Sequence, residues 1–143
     1  NESSAFQTFA SKDIDTLLDV AGKRESGIFQ VEIRQLGGAL ARQPEDSMAF
    51  NCRFANFYLD IMATAPSPDQ LEQGKQSLDT IMHTLRPDLT GETLINFLDT
   101  DNVGPYLTQA AYTPATYQGL RALKDRYDAK NVFRFNHNIP EPS

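Results

Sequence analysis

The stretch AFNCRFANFYLDIMATA, residues 49–65, has the clearest strand pattern in the sequence. Apolar residues occupy even positions over 50–54 and odd positions over 57–63. Because successive side chains of a strand point to opposite faces, this change of phase predicts one extra residue, a β-bulge near Ala55 and Asn56. We therefore expect one long bulged strand here.

The second face of this strand mixes residue types. It carries Tyr58, Asp60 and Met62 between the apolar positions. A face of this composition fits a strand that looks into a pocket, and it fits a strand whose face is simply solvated. The sequence leaves both interpretations open.

A helix and a second strand precede this stretch. In GIFQVEIRQL, residues 27–36, apolar residues alternate with Gln30, Glu32 and Arg34, which predicts a half-buried strand. The two glycines that follow indicate a bulge, a tight bend or a close approach to the backbone. Helical spacing of apolar residues over 14–21 predicts an amphipathic helix before the strand.

Five further elements follow the long strand. They are a helix that begins after Ser67 and ends before Pro87, a strand over 93–98, a short helix over 105–111, a helix over 114–127 and an extended tail. Only the first ten residues and the last four have a composition compatible with disorder.

This order of elements predicts an α+β fold. Short connections between strands favour antiparallel pairing, and the helices then lie on one face of the sheet. We expect an antiparallel sheet covered by helices on one face, as in a ferredoxin-like fragment, with a C-terminal pair of helices and an extended tail.

Composition and charge exclude several classes of protein. The 143 residues are 40% hydrophobic and 22% charged, which is typical of about one globular domain. A net charge of -6 repels phosphate backbones, so we expect no nucleic-acid partner. No apolar stretch approaches the ~20 residues of a spanning helix, so we expect no membrane partner. No targeting signal is visible, and cytoplasmic and secreted locations both stay open.

The usual catalytic and metal signatures are missing. Cys52 is the only cysteine, and no zinc-type spacing surrounds it. Asp99, Asp101 and Asn102 lack the glycine and the closing glutamate of a calcium loop, so an Asx-rich turn is favoured and no metal site is predicted. A phosphate loop, a dinucleotide glycine fingerprint and a nucleophile elbow are also absent from the sequence.

The end of the chain carries a specific pattern. In YQGLRALKDRYDAKNVFRFNHNIP, residues 117–140, a Leu-x-x-Leu-Lys helix runs into Tyr-Asp, then Asn, then a Phe-Arg segment that ends in Ile-Pro. This run resembles the C-terminal signature of berberine-bridge-enzyme-like FAD-linked oxidases. Ala129 stands where that family usually has proline, which loosens the turn. The resemblance rests on Leu120, Leu123, Lys124, Tyr127, Asp128, Asn131, Phe133, Arg134, Ile139 and Pro140.

Three earlier pieces resemble the same family in the same order. Leu36–Ala39 is similar to its Gly-Gly turn, and Ala49–Arg53 is similar to its Phe-x-His-Arg stretch, with Cys52 where the family often has histidine. Ile95–Phe97 is similar to a family strand that ends in asparagine and an aromatic residue. The resemblance covers residues 27–140.

The resemblance implies a two-domain flavoenzyme. An N-terminal domain of the same polypeptide would bind FAD, and a substrate domain would lay an antiparallel sheet across the flavin. Residues 1–100 resemble part of that substrate domain, and residues 101–143 resemble the C-terminal helices and flavin-contacting tail. The implied reaction passes hydride from a small organic substrate to flavin, with O2 as the acceptor. Because nothing here resembles the flavin-attachment region, we expect the isolated chain to be inactive.

The resemblance also suggests cofactor-binding residues. Asn136 and Asn138 would meet the pyrimidine edge of the flavin, where reduction adds negative charge. Asn96 and Arg53 are further candidates. Each has a structural alternative, since asparagines satisfy local backbone groups and an arginine can pair with a carboxylate.

A general base is less clearly marked. The tyrosine that can follow the motif asparagine in the family is Phe97 here, and a phenyl ring cannot accept a proton. Tyr58 and Asp60 are the remaining catalytic candidates, provided that their surroundings lower the pKa of the first or raise the pKa of the second. The substrate stays undetermined, since similar scaffolds handle sugars, alkaloids, polyketides and other alcohols or amines.

A second interpretation belongs to another class. The chain would then be a non-catalytic α+β module that binds a partner or forms a homodimer through its open sheet. An isolated sheet exposes strand edges and apolar surface, both of which favour association.

Overall fold

A computed structural model describes residues 1–42, 48–98 and 104–139. The described residues form one antiparallel sheet and four α-helices, so the predicted α+β class is confirmed. The strands are β1 Glu2–Phe6, β2 Ile28–Gln35 and β3 Phe57–Ala63. The helices are α1 Ser11–Ala21, α2 Pro68–Leu85, α3 Pro105–Ala110 and α4 Pro114–Tyr127, and short 3-10 turns cover Arg86–Asp88 and Ile95–Phe97.

The sheet has the strand order β1-β3-β2, with both pairs antiparallel. A further segment lies outside β1, where Phe6 forms an antiparallel bridge with Leu89 and the Ala5 carbonyl accepts from Thr90 N at 2.9 Å. With that segment counted, the order is that of a ferredoxin-like unit whose last strand is reduced to a bridge. β2 lies at the opposite edge, and no described strand pairs with its outer side.

Helices α1 and α2 cover one face of the sheet, as predicted. The odd positions of β3 meet them, and Leu59 and Ile61 are fully buried in one cluster with Leu17 of α1 and with Ile81 and Leu85 of α2. Full burial of an aliphatic side chain of this size contributes about 1.5–3 kcal/mol. This layer is therefore the main core.

Polar side chains begin two of the helices at the predicted residues. Ser67 Oγ accepts from Gln70 N at 3.4 Å at the start of α2. Thr113 Oγ1 accepts from Thr116 N at 3.2 Å at the start of α4. Each bond satisfies a backbone donor that the first turn of a helix leaves free.

The first half of the predicted long strand is wrong, whereas its second half is β3. Residues 50–56 form an irregular loop, so the long bulged strand and its bulge are wrong. Cys52 adopts a left-handed φ of +62°, which no strand accommodates. Residues 93–98 were also expected to form a strand, and they contain the 3-10 turn Ile95–Phe97 instead.

The beginning of the chain is ordered rather than disordered. Glu2–Phe6 forms β1, with Ser4 opposite Leu59 of β3. A five-residue strand of this composition has no local signal of its own, because its partner lies more than fifty residues away. Pairing in the assembled sheet therefore decides its conformation.

β2 contains a bulge that the sequence pattern did not predict. The register shifts between Ile28 and Gln30, and Phe29 is consequently 67% exposed instead of half-buried. After the strand, Gly37 and Gly38 have φ values of +121° and +53°, and no atom lies within 4 Å of the Cβ that either would carry. Of the three alternatives for these glycines, the tight bend is therefore the one observed.

Helix α4 exposes residues that its periodicity predicts to face inward. Tyr117 is buried, whereas Leu123 is 53% exposed and Tyr127 is 73% exposed. The sheet does not reach this part of the helix, so the apolar stripe continues onto open surface. Among the described residues, no helix is long and apolar enough to cross a membrane. The predicted Asx-rich turn at Asp99–Asn102, the boundary between residues 100 and 101, and Pro140 lie outside the described residues.

Candidate active site on the open face of the sheet

The face of the sheet away from α1 and α2 is closed at one end and open at the other. The loop over 50–56 and the segment over 93–97 cover the closed end. There Tyr58 packs in a second apolar cluster with Ala5, Cys52, Ala55 and Leu94. The open end is a pocket, so the mixed face of β3 looks into a pocket rather than into bulk solvent.

Tyr58 is fully buried, and its hydroxyl has three hydrogen-bonding neighbours. The hydroxyl donates to Ser3 Oγ at 2.8 Å, accepts from Leu94 N at 3.1 Å and lies 3.3 Å from Thr93 Oγ1. A hydroxyl with three partners and no solvent exposure has no free position for a substrate. The geometry therefore favours a structural role, in which Tyr58 ties the segment at 93–94 to the sheet.

The pocket at the open end has a volume of about 570 Å³. Side chains of β2 and β3 form one wall, and the 3-10 turn Ile95–Phe97 forms the other. Carboxylate, amide and guanidinium groups stand beside aromatic surface, a mixture that suits a small organic ligand. The polar and aromatic lining includes Gln30, Glu32, Arg34, Asp60, Asn96 and Phe97.

Asp60 is the buried carboxyl of this pocket, with 4% of the residue exposed. Burial raises the pKa of Asp60, a hydrogen bond from Asn1 Nδ2 at 3.4 Å opposes the rise, and the Glu32 carboxylate adds to it. A carboxyl with a raised pKa is a stronger base than an ordinary aspartate. The hypothesis that Asp60 is a base requires a raised pKa, and this shift is in that direction.

Glu32 and Arg34 were missed by the sequence reasoning. Glu32 lies directly opposite Asp60 in the β2–β3 register. Arg34 Nε and Nη2 donate to the two carboxylate oxygens of Glu32 at 2.6 and 3.1 Å, and these bonds lower the pKa of Glu32. The alternation of β2 marked both residues as one polar face, and only the pairing with β3 brings that face to Asp60.

Asn96 and Asp60 are the two predicted site residues that the structure brings into one pocket. Asn96 is exposed on the 3-10 turn. The ring of Phe97 fixes this turn, since it packs 5.3 Å from the ring of Tyr58 and 4.4 Å from the guanidinium of Arg34. The aromatic residue of the motif therefore has a structural task here.

Two charged residues of the tail motif organise the exit from α4. The Asp128 carboxylate accepts from Val132 N at 2.7 Å and from Phe133 N at 3.1 Å. Lys124 Nζ donates to Asp128 at 2.5 Å and to the Phe133 carbonyl at 2.7 Å. The bond from Lys124, together with the backbone donors, lowers the pKa of Asp128. The motif thus sets the direction in which the tail leaves the helix.

The tail returns to the turn that borders the pocket. His137 Nε2 lies 3.2 Å from the Leu98 carbonyl oxygen. Asn136 is exposed with a left-handed φ of +56°, and Asn138 Oδ1 is buried without a partner in the described structure. A buried amide oxygen without a donor costs about 1–3 kcal/mol, so a ligand or another segment would stabilise this end of the tail.

Arg53 lies outside this pocket. Its Nη1 donates to the Leu40 carbonyl at 2.8 Å, and its guanidinium lies 5.1 Å from the ring of Phe50. It lines a separate pocket beside α4. The neighbouring Cys52 is buried, and burial raises the pKa of its thiol to about 12, so this thiol is not a nucleophile.

Comparison with known proteins gives consistent results. Residues 94–140 match the family model described as "Berberine and berberine like". The chain is 32% identical to "Uncharacterized FAD-linked oxidoreductase YvdP" of Bacillus subtilis (strain 168) over 104 residues, which cover 73% of this chain and 22% of the relative. It is 29% identical to "Uncharacterized FAD-linked oxidoreductase YgaK" of the same strain over 136 residues, which cover 92% of this chain and 28% of the relative. The chain thus spans about a quarter of the length of these relatives.

A solved structure has the same fold. BBE-like 1 of Physcomitrella patens, as wild type and as a variant, superposes with a TM-score of 0.75 at 17% identity. The match covers 98% of this chain and 30% of that chain. At this identity the likeness concerns the fold.

The chain belongs to the family of FAD-linked oxidoreductases that these relatives represent. Within this family, the chain carries a berberine-bridge-enzyme-like domain and corresponds to part of such a protein. The resemblance drawn from the tail motif is therefore confirmed.

Proposed function

We propose that this chain forms the substrate-facing sheet and the flavin-contacting tail of an FAD-dependent oxidase. The observation that supports the proposal is that a buried carboxyl, Asp60, and a tail with a partnerless amide oxygen border the same turn over 95–98. The proposed reaction transfers hydride from a carbon of a small organic substrate to the flavin, with O2 as the final acceptor.

Asp60 is the proposed general base. When hydride leaves a carbon that bears a hydroxyl or an amine, a proton must also leave the heteroatom, and Asp60 would accept it. Its raised pKa suits this task. Asn96, exposed on the facing wall, would hydrogen-bond the substrate. Tyr58 is not part of this proposal, because its hydroxyl is buried and occupied.

The tail has the chemistry to hold the edge of a flavin ring. FAD, when bound, supplies the hydride acceptor that no side chain of this chain provides. The amides of Asn136 and Asn138 can donate to or accept from a polar ring edge, and the Asn138 oxygen lacks a partner in the described residues. Arg53 lines a different pocket and is not included in this proposed cofactor site.

The FAD-binding domain is the proposed partner, supplied by another part of the same polypeptide. Two observations support this: the relatives are about four times longer than the matched segment, and the tail exposes apolar surface beside α4. In this proposal, residues 1–100 belong to the substrate domain, and residues 101–143 form the C-terminal helices and the flavin-contacting tail. On this proposal the isolated chain is inactive.

The test is flavin reduction in the full-length product of the gene. Asp60→Asn should slow anaerobic flavin reduction by substrate at least ~100-fold, because a general base typically contributes 10²–10⁴-fold. Asp79→Asn is the matched control, since Asp79 is an exposed aspartate on α2. Flavin content should be the same in all three proteins. A rate of Asp60→Asn equal to that of the wild type would remove Asp60 from the mechanism.

The second candidate function is a non-catalytic homodimerisation module. The observation that favours it is the open outer edge of β2, an eight-residue strand with Phe29 67% exposed. On this alternative the chain is a colourless dimer that does not bind added FAD. Leu36 N donates to the Asn56 carbonyl on the β3 side, so in the alternating pattern of an antiparallel pair the N–H of Ile33 faces the open side of β2. Sedimentation of the wild type and of Ile33→Pro, which removes a donor from that open side, separates the two functions.

A further inference from the structure

The geometry points to Arg34 as a positioning residue of this site: it holds Glu32 and Phe97 together and thereby fixes both the charge and the wall that face Asp60. The inference deepens the proposed function and rests on Asp60 as its proton acceptor. Arg34 makes two kinds of contact at once. Its guanidinium bonds both carboxylate oxygens of Glu32, and it lies 4.4 Å from the centroid of the Phe97 ring.

The contact with Glu32 fixes where the negative charge lies. Two carboxyl groups directly opposite each other on neighbouring strands compete for one proton. The bidentate bond favours the ionised form of Glu32, so Asp60 is the carboxyl of the two that takes up a proton more readily. Arg34 thereby assigns the two carboxyls different roles, with Glu32 as the fixed charge and Asp60 as the group that exchanges a proton.

The contact with Phe97 fixes the opposite wall of the pocket. The 3-10 turn over 95–97 is held in two ways: the Phe97 carbonyl accepts from Asn1 Nδ2 at 3.0 Å, and the Phe97 ring packs against the Tyr58 ring and the Arg34 guanidinium. Asn96 sits on this turn. Loss of the guanidinium would therefore loosen Asn96 as well as change the field at Asp60.

Among the residues that the structure describes, few charged and titratable groups face Asp60. β2 contributes Glu32 and Arg34, and the Asn1 end contributes an amide and the amino group of the chain. Asp60's own strand contributes Tyr58, whereas the residues over 93–98 contain no titratable side chain. The amino group is common to every variant of this chain, so differences between variants report on β2.

The two partners act on Asp60 in opposite directions. Removal of the positive charge in Arg34→Gln should raise the pKa of Asp60, because an attractive cation is lost and Glu32 stays opposite it. Removal of the negative charge in Glu32→Gln should lower the pKa of Asp60, because a like charge is lost and Arg34 becomes free. A purely structural role of the pair predicts no such difference in sign.

The experiment is an NMR titration of the Asp60 side-chain carboxyl in this 143-residue chain, without flavin. We expect the midpoint to rise in Arg34→Gln and to fall in Glu32→Gln, each by more than about half a pKa unit. Arg34→Lys keeps the charge, so its midpoint should stay nearer to that of the wild type, while the Phe97 ring signals move as the planar stack is lost. Amide spectra verify that each variant is folded, and both side chains are partly exposed on an edge strand.

Shifts of the same sign, or no shift, in the two neutral variants would overturn the inference, as would unchanged Phe97 signals in Arg34→Gln. The titration and the flavin reduction assay fail independently. Opposite shifts together with an active Asp60→Asn enzyme would leave the Arg34 assignment in place and remove only the proposed base.

Discussion

Gly27 and Gly74 lie backbone to backbone where β2 begins beside the middle of α2. A Cβ on Gly27 would lie 2.8 Å from the Gly74 Cα, and a Cβ on Gly74 would lie 2.9 Å from the Cβ of Ala63. Gly27 also has a φ of +70°, and its carbonyl accepts from Thr64 N at 3.1 Å. The absence of side chains at both positions therefore lets the helix lie close to the sheet.

Gly74→Ala should destabilise the chain although alanine is the better helix former. The added methyl meets Ala63 at a distance that real Cβ atoms do not adopt, and overpacking of this kind costs about 1–3 kcal/mol. Gly119→Ala in α4 is the matched control, because no atom lies within 4 Å of its Cβ and alanine gains up to ~1 kcal/mol in a helix. Urea unfolding measures both. Equal stabilisation by the two changes would contradict the close contact.

Tyr58→Phe separates a structural tyrosine from a catalytic one. The change leaves the buried Leu94 N–H without its acceptor, so we expect a loss of about 1–3 kcal/mol in the free energy of unfolding. Tyr127→Phe, at a side chain 73% exposed, should change stability by less than ~0.5 kcal/mol. In the full-length product, the pH dependence of flavin reduction should keep its shape in Tyr58→Phe. Disappearance of one limb of that profile would restore Tyr58 as a catalytic candidate.

The tail should be held by Asp128 only while its carboxyl is ionised. The pKa of Asp128 in the folded chain lies below the unfolded value of ~3.9. The stabilisation of the fold by the ionised carboxylate is therefore complete above the unfolded pKa and is lost as the pH falls through the lowered pKa. The amide NMR signals of Val132 and Phe133 should therefore stay constant from neutral pH down to about 4 and move below it.

Asp128→Asn should shift both of these amide signals at neutral pH, because it removes the charge that Lys124 and the two backbone donors share. Asp125→Asn is the control on the same helix, at an exposed position. Signals of the tail that are insensitive to Asp128→Asn would show that other contacts set the path of the tail.

The exposed aromatic residues of the tail should affect FAD retention by the full-length product and leave the stability of this chain unchanged. Phe133→Ser and Phe135→Ser each change a side chain that is 80% exposed, so the unfolding free energy of the chain should change by less than ~0.5 kcal/mol. The full-length product should retain less FAD after desalting, as measured by flavin absorbance per protein. Phe54→Ser, at a residue 71% exposed in the loop before β3, is the control. Equal flavin retention in all three variants would remove this surface from the proposed domain contact.

Local patterns succeeded where the partners of a residue lie within a few positions of it. Ser67 and Thr113 begin their helices as the sequence predicts, since each caps a donor three residues away. The family signature of the tail is equally local, because Lys124 and Asp128 are neighbours on one helical turn. Such features are visible in one dimension.

The sequence by itself determined the α+β class, the starts of α2 and α4 after Ser67 and Thr113, the alternation of β3 and of β2 beyond its bulge, and the relation to FAD-linked oxidoreductases. The tertiary structure alone decided that Glu2–Phe6 is a strand, that residues 95–97 form a turn, and that Glu32, Arg34 and Phe97 surround Asp60. The physical reason is that these outcomes depend on pairing between segments far apart in the chain. Strand register and burial decide which charged groups surround a carboxyl and hence its pKa. Neither can be deduced from the residues next to that carboxyl in the sequence.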